Sequence, residues 1–493
     1  MPSFPDQLLS RLSEHLSAQM GWHFPRERWR ELETGIETAA RGLGIADATA
    51  YAHDLLAAKL SKRQIEGLAA TLTVGETYFF RDPRSFEILR EKVFPDLIRA
   101  RRHDDCRLRI WSAGCCTGEE AYSIAILLDQ LLPDISDWKI TLLATDINSR
   151  FLQRAVEGTF TEWSFRGAPS WLKERYFNAA PGRRFALVPR IKSLVTFAYL
   201  NLGEDVFPSL TNNTNAMDLI LCRNVLMYFS AERAAQVIRN FHRSLVSNGL
   251  FLFSAVESSP QLAELFVPIS FDGGVMHRKR RDFDTIPADA ATPTVPAFPI
   301  EAEFSLLPQP PERIEQAPAV VDPRTVDPRS VYEAALALFD RGRYTEAAAA
   351  LEANPAANDS DVDRATLLAR IHANLGDLAT ARSWAERAIA ADRTNALSHY
   401  LRAVILQEQG QVPEALATLQ KAVYLQPDFV LVHFALGNLE HHQGRCSVAA
   451  RHFNNAFNLL QKVGDDELLP HAEGMAAGRL KEMIRSILET DAA

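Results

Sequence analysis

Four glycines, Gly342, Gly376, Gly410 and Gly444, stand 34 residues apart, and each keeps the same company. Five residues after each comes an alanine (Ala347, Ala381, Ala415, Ala449), and seven before comes another small residue (Ala335, Ala369, Ala403, Gly437). Ala388, Ala422 and Ala456 hold the same phase further on. Small residues at this period let two helices touch closely, with glycine at the turn between them. The last third of the chain is therefore expected to be a stack of helical pairs. Such units bury their apolar faces on one another, expose an extended surface for partners and carry no chemistry of their own. The stretch "LEANPAANDSD" in the first unit is irregular, which predicts a short second helix there.

This spacing resembles tetratricopeptide repeats, about four of them over 329–475, with a capping helix at 476–493. Before them, residues 282–328 hold ten of the chain's 26 prolines, the composition of an extended, semi-stiff linker. At the other end, residues 1–75 show apolar positions at helical spacing in "LLSRLSEHLSAQM", "WRELETGIETAARGLG", "ATAYAHDLLAAKL" and "QIEGLAATLT". Four short helices in an all-helical cap are expected. Over 76–281 the pattern changes: the short apolar runs "RLRIWSAG", "KITLLATDI", "MDLILCRN" and "GLFLFSAVES" are separated by helical stretches. Strands buried on both faces and alternating with helices predict an α/β fold with a parallel, doubly wound sheet. "LFVPISF" and "GVMHRKR" flank "DGG" without a helix between them and predict an antiparallel hairpin at the sheet edge.

At 493 residues the chain needs several cores. No apolar run approaches the roughly 18 to 20 residues that cross a bilayer, and the N-terminus lacks the plan of a signal peptide, so a cytoplasmic protein is expected. The five cysteines have neither disulfide-framework nor zinc spacing, and no metal site is expected. Adjacent Cys115 and Cys116 read as small packing residues. The net charge of −9 hides an asymmetry: residues 1–281 carry 35 Lys/Arg against 32 Asp/Glu, and the rest 18 against 30. Within the first part, residues 151–200 have eight basic and three acidic side chains. That stretch suits an acidic protein partner or is an ordinary solvated surface. Nucleic acid is disfavoured, because no dense basic run or basic-aromatic interleave occurs.

"WSAGCCTGEEAYSIAILL", Trp111 to Leu128, reads as a strand, a glycine turn framed by Gly114 and Gly118, and a helix start. It has the outline of a phosphate-binding turn, yet it lacks the lysine and places Glu119 and Glu120 in the first helical turn, which argues against phosphate. Carboxylates near a glycine turn suit a ligand with a positive group. The next strand ends in Asp146, where an acid can accept both ribose hydroxyls of a bound nucleoside. Together these acids fit S-adenosylmethionine, which has a ribose and a cationic end; as plain helix-start and strand-end acids they would need no ligand.

"TVGETYFFRDPRSF", "WSAGCCTGEEAYSIA", "ATDIN", "FAYLNL" and "CRNVLMYF" occur in the order of the motifs of chemoreceptor glutamate methyltransferases, and over residues 1–281 the chain resembles this CheR family. The resemblance implies a helical cap, a class I S-adenosylmethionine-dependent methyltransferase domain and a small antiparallel β-subdomain inserted at about 155–200. It also implies ligand residues. Thr77 and Arg81 would reach the cofactor from the linker after the cap. Glu120, in preference to Glu119, would be the acid of the glycine turn, and Asp146 would hold the ribose. Asn201 and Leu202 would lie beside the adenine, while Arg223, Asn224 and Tyr228 would line the methyl end. Gly75 departs from the pattern, since the family often has Asn at that place.

In catalysis Arg81 and Tyr228 would hold the incoming glutamate carboxylate. The expected products are a methyl ester on the cytoplasmic domain of a methyl-accepting receptor and S-adenosylhomocysteine. Some family members carry a C-terminal repeat array, among them the methyltransferase of surface-sensing Wsp-type pathways, and the chain is similar to that kind. Its array is expected to bind a further protein partner and to set where or when the enzyme works, its removal leaving cofactor binding intact. A cofactor-binding scaffold without turnover, or a methyltransferase acting on another protein, are the alternatives.

Overall fold

The structure, a computed structural model, describes residues 4–102, 105–203, 207–254, 257, 259–272, 274–280, 328–353 and 362–491. Apart from Pro328, the proline-rich stretch 282–328 lies outside them.

The cap is four helices, Asp6–Met20 (α1), Trp29–Gly42 (α2), Ala48–Ala57 (α3) and Lys62–Leu72 (α4). Local chemistry delimits them. Gly21 closes α1 in the left-handed region, Asp47 caps α3 through the Thr49 and Ala50 amides, and Ser61 with Gln64 forms a capping box on α4. Leu12, Leu16, Leu32, Ile36, Leu55 and Leu68 bury the inner faces. The following chain forms Pro83–Ile88 (α5), which runs through a π-helical turn into Phe94–Arg102 (α6).

Then come Arg107–Ala113 (β1), Glu119–Leu131 (α7), Lys139–Asp146 (β2), Ser149–Glu157 (α8), Thr159–Thr161 (β3), Trp171–Tyr176 (α9), Phe177–Ala180 (β4), Arg184–Leu187 (β5), Pro189–Lys192 (α10) and Val195–Tyr199 (β6). Met217–Leu221 (β7), Ala231–Ser244 (α11), Leu245–Leu252 (β8), Pro260–Leu265 (α12), Phe266–Phe271 (β9) and Gly274–Lys279 (β10) complete the domain. The seven-stranded sheet has the order β6-β2-β1-β7-β8-β10-β9. Its first five strands are parallel, and β9 and β10 form the expected antiparallel edge hairpin. This is the doubly wound architecture read from the sequence. The inserted subdomain is the three-stranded sheet β3-β5-β4, seated on a cluster of Phe79, Phe160, Phe165 and Phe177. It ends short of residue 200, because β6 pairs with β2 in the main sheet. Within the basic stretch, Arg166, Lys173 and Arg190 pair with Glu76, Glu162 and Asp129, so less positive charge faces outward than the count suggests.

The C-terminal third holds four helical pairs: Pro328–Asp340 (α13) with Tyr344–Ala353 (α14), Val362–Leu375 (α15) with Leu378–Ala391 (α16), Ala396–Glu408 (α17) with Val412–Leu425 (α18), and Val430–His442 (α19) with Cys446–Leu460 (α20). Ala477–Asp491 (α21) closes the stack. The four period glycines end the first helix of each pair with φ between 71° and 83°, a region where a side chain is strained. The described part of α14 spans 10 residues, and residues 354–361 of "LEANPAANDSD", on which the expectation of a short second helix falls, lie outside the described residues. No helix among the described residues is long and apolar enough to cross a membrane.

The array packs on the amino-terminal edge of the main sheet. Arg109, in the middle of β1 and 1% exposed, is paired with Glu408 at the end of α17. Arg107, 4% exposed, donates to the Gly376 carbonyl at 2.8 Å. Removing the array would take away Glu408 and the Gly376 carbonyl, leaving Arg107 with Asp105 and Arg109 with Asn213 and Asn215.

Candidate active site

The carboxyl ends of the parallel strands open into a cavity of about 340 Å³. It lies beside β1, where the strand order reverses and an open α/β sheet leaves a crevice. Thr77, Arg81, Glu120, Asp146, Asn201, Leu202, Arg223, Asn224 and Tyr228 all line it.

The turn after β1 is shaped by close approach. A Cβ at Gly114 (φ 81°) would meet Val225 Cγ2 at 2.4 Å, so only glycine fits without displacement. The amides of Gly114 and Cys115 donate to the Thr145 carbonyl at 2.7 and 2.9 Å, locking the turn to β2. Cys115 is buried, and burial pushes the Cys116 thiol up to about 12, so neither sulfur is a reactive thiolate at neutral pH. The two acids at the start of α7 then diverge, since neighbouring helical residues point about 100° apart. Glu119, 3% exposed, turns away into the insertion and accepts from Thr117 Oγ1 at 2.6 Å and Ser164 Oγ at 2.9 Å. Glu120 faces the cavity, accepting from Ser112 Oγ at 2.7 Å with Arg223 3.5 Å away.

Asp146 ends β2 with its carboxylate accepting from the amides of Cys116 at 2.9 Å and Asn148 at 2.8 Å. Burial outweighs these bonds and pushes its pKa up to about 6. Two backbone bonds do not exhaust a carboxylate's acceptor capacity, so it can still take hydroxyl donors from the cavity. The neighbouring Asn148 caps α8 through the Arg150 and Phe151 amides, while its Nδ2 donates to the Ala69 carbonyl and to Thr73 Oγ1. One side chain thereby joins the cap to the sheet. Gly75 is accounted for by Phe151: a Cβ there would meet the ring at 2.7 Å, so aromatic surface fills the space an Asn would take.

After β7, Arg223 is held by the Arg81 carbonyl at 3.0 Å and Asp82 Oδ2 at 3.1 Å. Asn224 adopts a left-handed conformation (φ 60°). The loop keeps this shape because the buried Glu257 carboxylate accepts the amides of Asn224, Val225 and Leu226 at 2.6 to 2.9 Å, together with that of Ser254. Tyr228 sits half-buried below the Arg28 guanidinium, 5.2 Å from its ring centroid, and its carbonyl accepts from the His23 amide at 2.8 Å. Burial raises its pKa, so the hydroxyl is a proton donor at neutral pH. Arg81 is bonded to the Glu76 carbonyl.

Sequence reasoning missed Trp22, Phe24 and Arg28 of the cap, Phe151 and Glu257. The first three come from "GWHFPRERWR", where a tryptophan and a phenylalanine in a loop between amphipathic helices were the available signal. Glu257 gave no signal at all, because a lone acid in "AVESS" has no spacing to read.

Residues 75–273 match the CheR methyltransferase, SAM binding domain, and residues 332–396 and 405–444 match tetratricopeptide repeats. Chemotaxis protein methyltransferase 1 of Pseudomonas aeruginosa is 33% identical over 219 residues, which are 44% of this chain and 77% of that protein. A chemotaxis protein methyltransferase of Borreliella burgdorferi is 29% identical over 51% of this chain and 87% of its own length. Similarity to the probable biofilm formation methyltransferase WspC of Pseudomonas aeruginosa extends further, with 28% identity over 82% of this chain and 88% of that protein. The fold is that of an S-adenosylmethionine-dependent methyltransferase. The chain belongs to the CheR family of chemotaxis methyltransferases, with a tetratricopeptide array at its C-terminal end. S-adenosylmethionine is its methyl donor, and the residues present fit that group: a buried acceptor at the strand end, an acid and a guanidinium side by side, and apolar walls from Leu200, Leu202 and Phe151.

Proposed function

We propose that the protein is a cytoplasmic protein-glutamate O-methyltransferase that esterifies glutamate side chains on the cytoplasmic domain of a methyl-accepting chemoreceptor. The convergence of Asp146, Glu120, Arg223, Arg81 and Tyr228 on one cavity carries the reading. The bound cofactor supplies an electrophilic methyl group on a sulfonium. Asp146 would accept the ribose hydroxyls, Asn201 and Leu202 would flank the adenine, and Thr77 and Asn224 would complete the cofactor contacts. The adjacent Glu120 and Arg223 would meet the ammonium and carboxylate of its amino-acid end.

A substrate glutamate has an ordinary pKa near 4.3 and is ionised at neutral pH, so no general base is required. The protein's task is to align the carboxylate and exclude water from a step that cancels charge. Arg81 would grip the carboxylate by its guanidinium, and the protonated Tyr228 would bond its second oxygen. Receptor membranes incubated with the full chain and methyl-labelled cofactor should acquire base-labile label. Absence of such label, with S-adenosylhomocysteine still bound, would favour a scaffold without turnover. Label that appears only on another protein would redirect the substrate assignment.

A further inference from the structure

Two regions described above, the cavity and the array, meet on one stretch of chain. Within residues 199–203, Leu200, Asn201 and Leu202 line the cavity, and Tyr199 lies opposite Asp146 in the β2–β6 register, while residues 207–215 resume the described chain after them. Among the latter, Leu210 packs against the apolar cluster of Ala369, Ala373, Leu378 and Ile405 from the array. The Leu210 amide donates to Glu473 at 2.7 Å, Thr211 hydrogen-bonds the Tyr400 side chain, and Asn215 Nδ2 donates to the Ala373 carbonyl at 3.3 Å. The array also reaches residues 199–203 directly. Arg479, 7% exposed, donates to the Tyr199 carbonyl at 2.6 Å and lays its guanidinium 4.2 Å from the Tyr199 ring centroid. One residue further on, the Leu200 amide donates to the Asp146 carbonyl at 3.1 Å.

Repeat arrays ordinarily offer such surface to other proteins. Here it is occupied by a segment of the same chain. We propose that residues 199–203 and 207–215 are the array's resident ligand and that their seating sets the affinity of the cavity for cofactor, so that a protein taking the array changes methyl transfer by displacing them. The inference rests on the cavity being the cofactor site. Arg479 and Glu473 fix the backbone on both sides of Asn201 and Leu202, and their release frees these residues from the geometry the cofactor needs. By linkage, cofactor in the cavity must tighten the segment on the array by the same factor. The competing partner is a short extended peptide of matching chemistry, an aliphatic side chain flanked by hydroxyl and amide groups.

The test uses the full chain, calorimetry with S-adenosylhomocysteine and hydrogen exchange read by mass spectrometry. Saturating S-adenosylhomocysteine should slow exchange in 207–215 and in 465–481 of the wild-type protein. Arg479→Met and Leu210→Ser should each raise Kd about three- to tenfold and speed exchange in 199–203. Kd within twofold of wild type in both variants overturns the proposal, as does weaker binding with unchanged exchange in 199–203. Should either variant fail to fold, the wild-type arm decides: no change of exchange on the array side sinks the coupling. A wild-type protein that binds no S-adenosylhomocysteine sinks the site assignment itself, a distinguishable failure.

Discussion

The two edges of the main sheet both bury charge, and they do it in opposite ways. At the amino-terminal edge Arg107 and Arg109 are among the most enclosed cations of the chain, and each has a partner on the array: the Gly376 carbonyl for one, Glu408 for the other. At the carboxyl edge Asp146 is buried as well, yet backbone amides hold its carboxylate, which stays harder to ionise than an ordinary aspartate. Burying a charge without a partner costs several kcal/mol. Where the partner is in the fold, the charge is part of an interface; where acceptor capacity is left over, it waits for a ligand. The same sheet thus shows a structural and a functional use of one physical problem.

Substitutions at the two edges should separate accordingly. The largest effect is expected for Asp146→Asn, which removes the acceptor for two hydroxyl donors. About 4 kcal/mol of binding, on the order of 10³-fold in Kd for S-adenosylhomocysteine, should be lost by calorimetry, with the melting temperature maintained or raised. At the opposite edge Glu408→Ala should cost about 3 kcal/mol of stability in denaturant unfolding, because the buried Arg109 loses its carboxylate partner and keeps only neutral acceptors on Asn213 and Asn215. A variant as stable as the wild type would erase the contrast between the edges. Tyr228→Phe should lower kcat/KM for receptor methylation about 10- to 100-fold while Kd for S-adenosylhomocysteine changes little, sharpening the carboxyl edge into a cofactor part and a substrate part.

The smallest effect is one of pH. Folding lifts Asp146 from its ordinary value to about 6, so between pH 4 and 6 the folded protein holds a proton that the unfolded chain has released. This group therefore favours the folded state at the acid end of that window and loses the contribution as pH rises through 6. Cofactor binding needs the ionised form and runs the other way, weakening about tenfold at pH 5 relative to pH 8. Asp146→Asn should flatten that part of the profile, and a persisting slope would assign it to another group.

Much of this was legible in the residues. The 34-residue glycine register gave the helical pairs, and the strand-turn-helix of Trp111 to Leu128 located the cavity, because a glycine turn at a strand end leaves few alternatives. Choosing between Glu119 and Glu120 depended on the family pattern, since the local sequence permits either and the insertion decides which is buried. The docking of the array was invisible for a different reason. "RLRIWSAG" has the pattern of a strand buried on both faces, and nothing local says what covers its two arginines at alternate positions. Contacts such as Arg109 with Glu408 span about 300 positions of chain, a separation over which periodicity carries no information.

Helical solenoids commonly gain or lose whole units in evolution, because each one touches only its neighbours. This stack has lost that freedom. A Cβ at Gly342, Gly376 or Gly410 would press on Arg243, Val246 or Lys139, so three successive hairpin tips abut the catalytic half like teeth in a rack. Duplicating or excising 34 residues would preserve a well-formed superhelix and still carry Glu408, Glu473 and Arg479 out of line with their sockets. The number of repeats is therefore tied to the catalytic half that these tips abut.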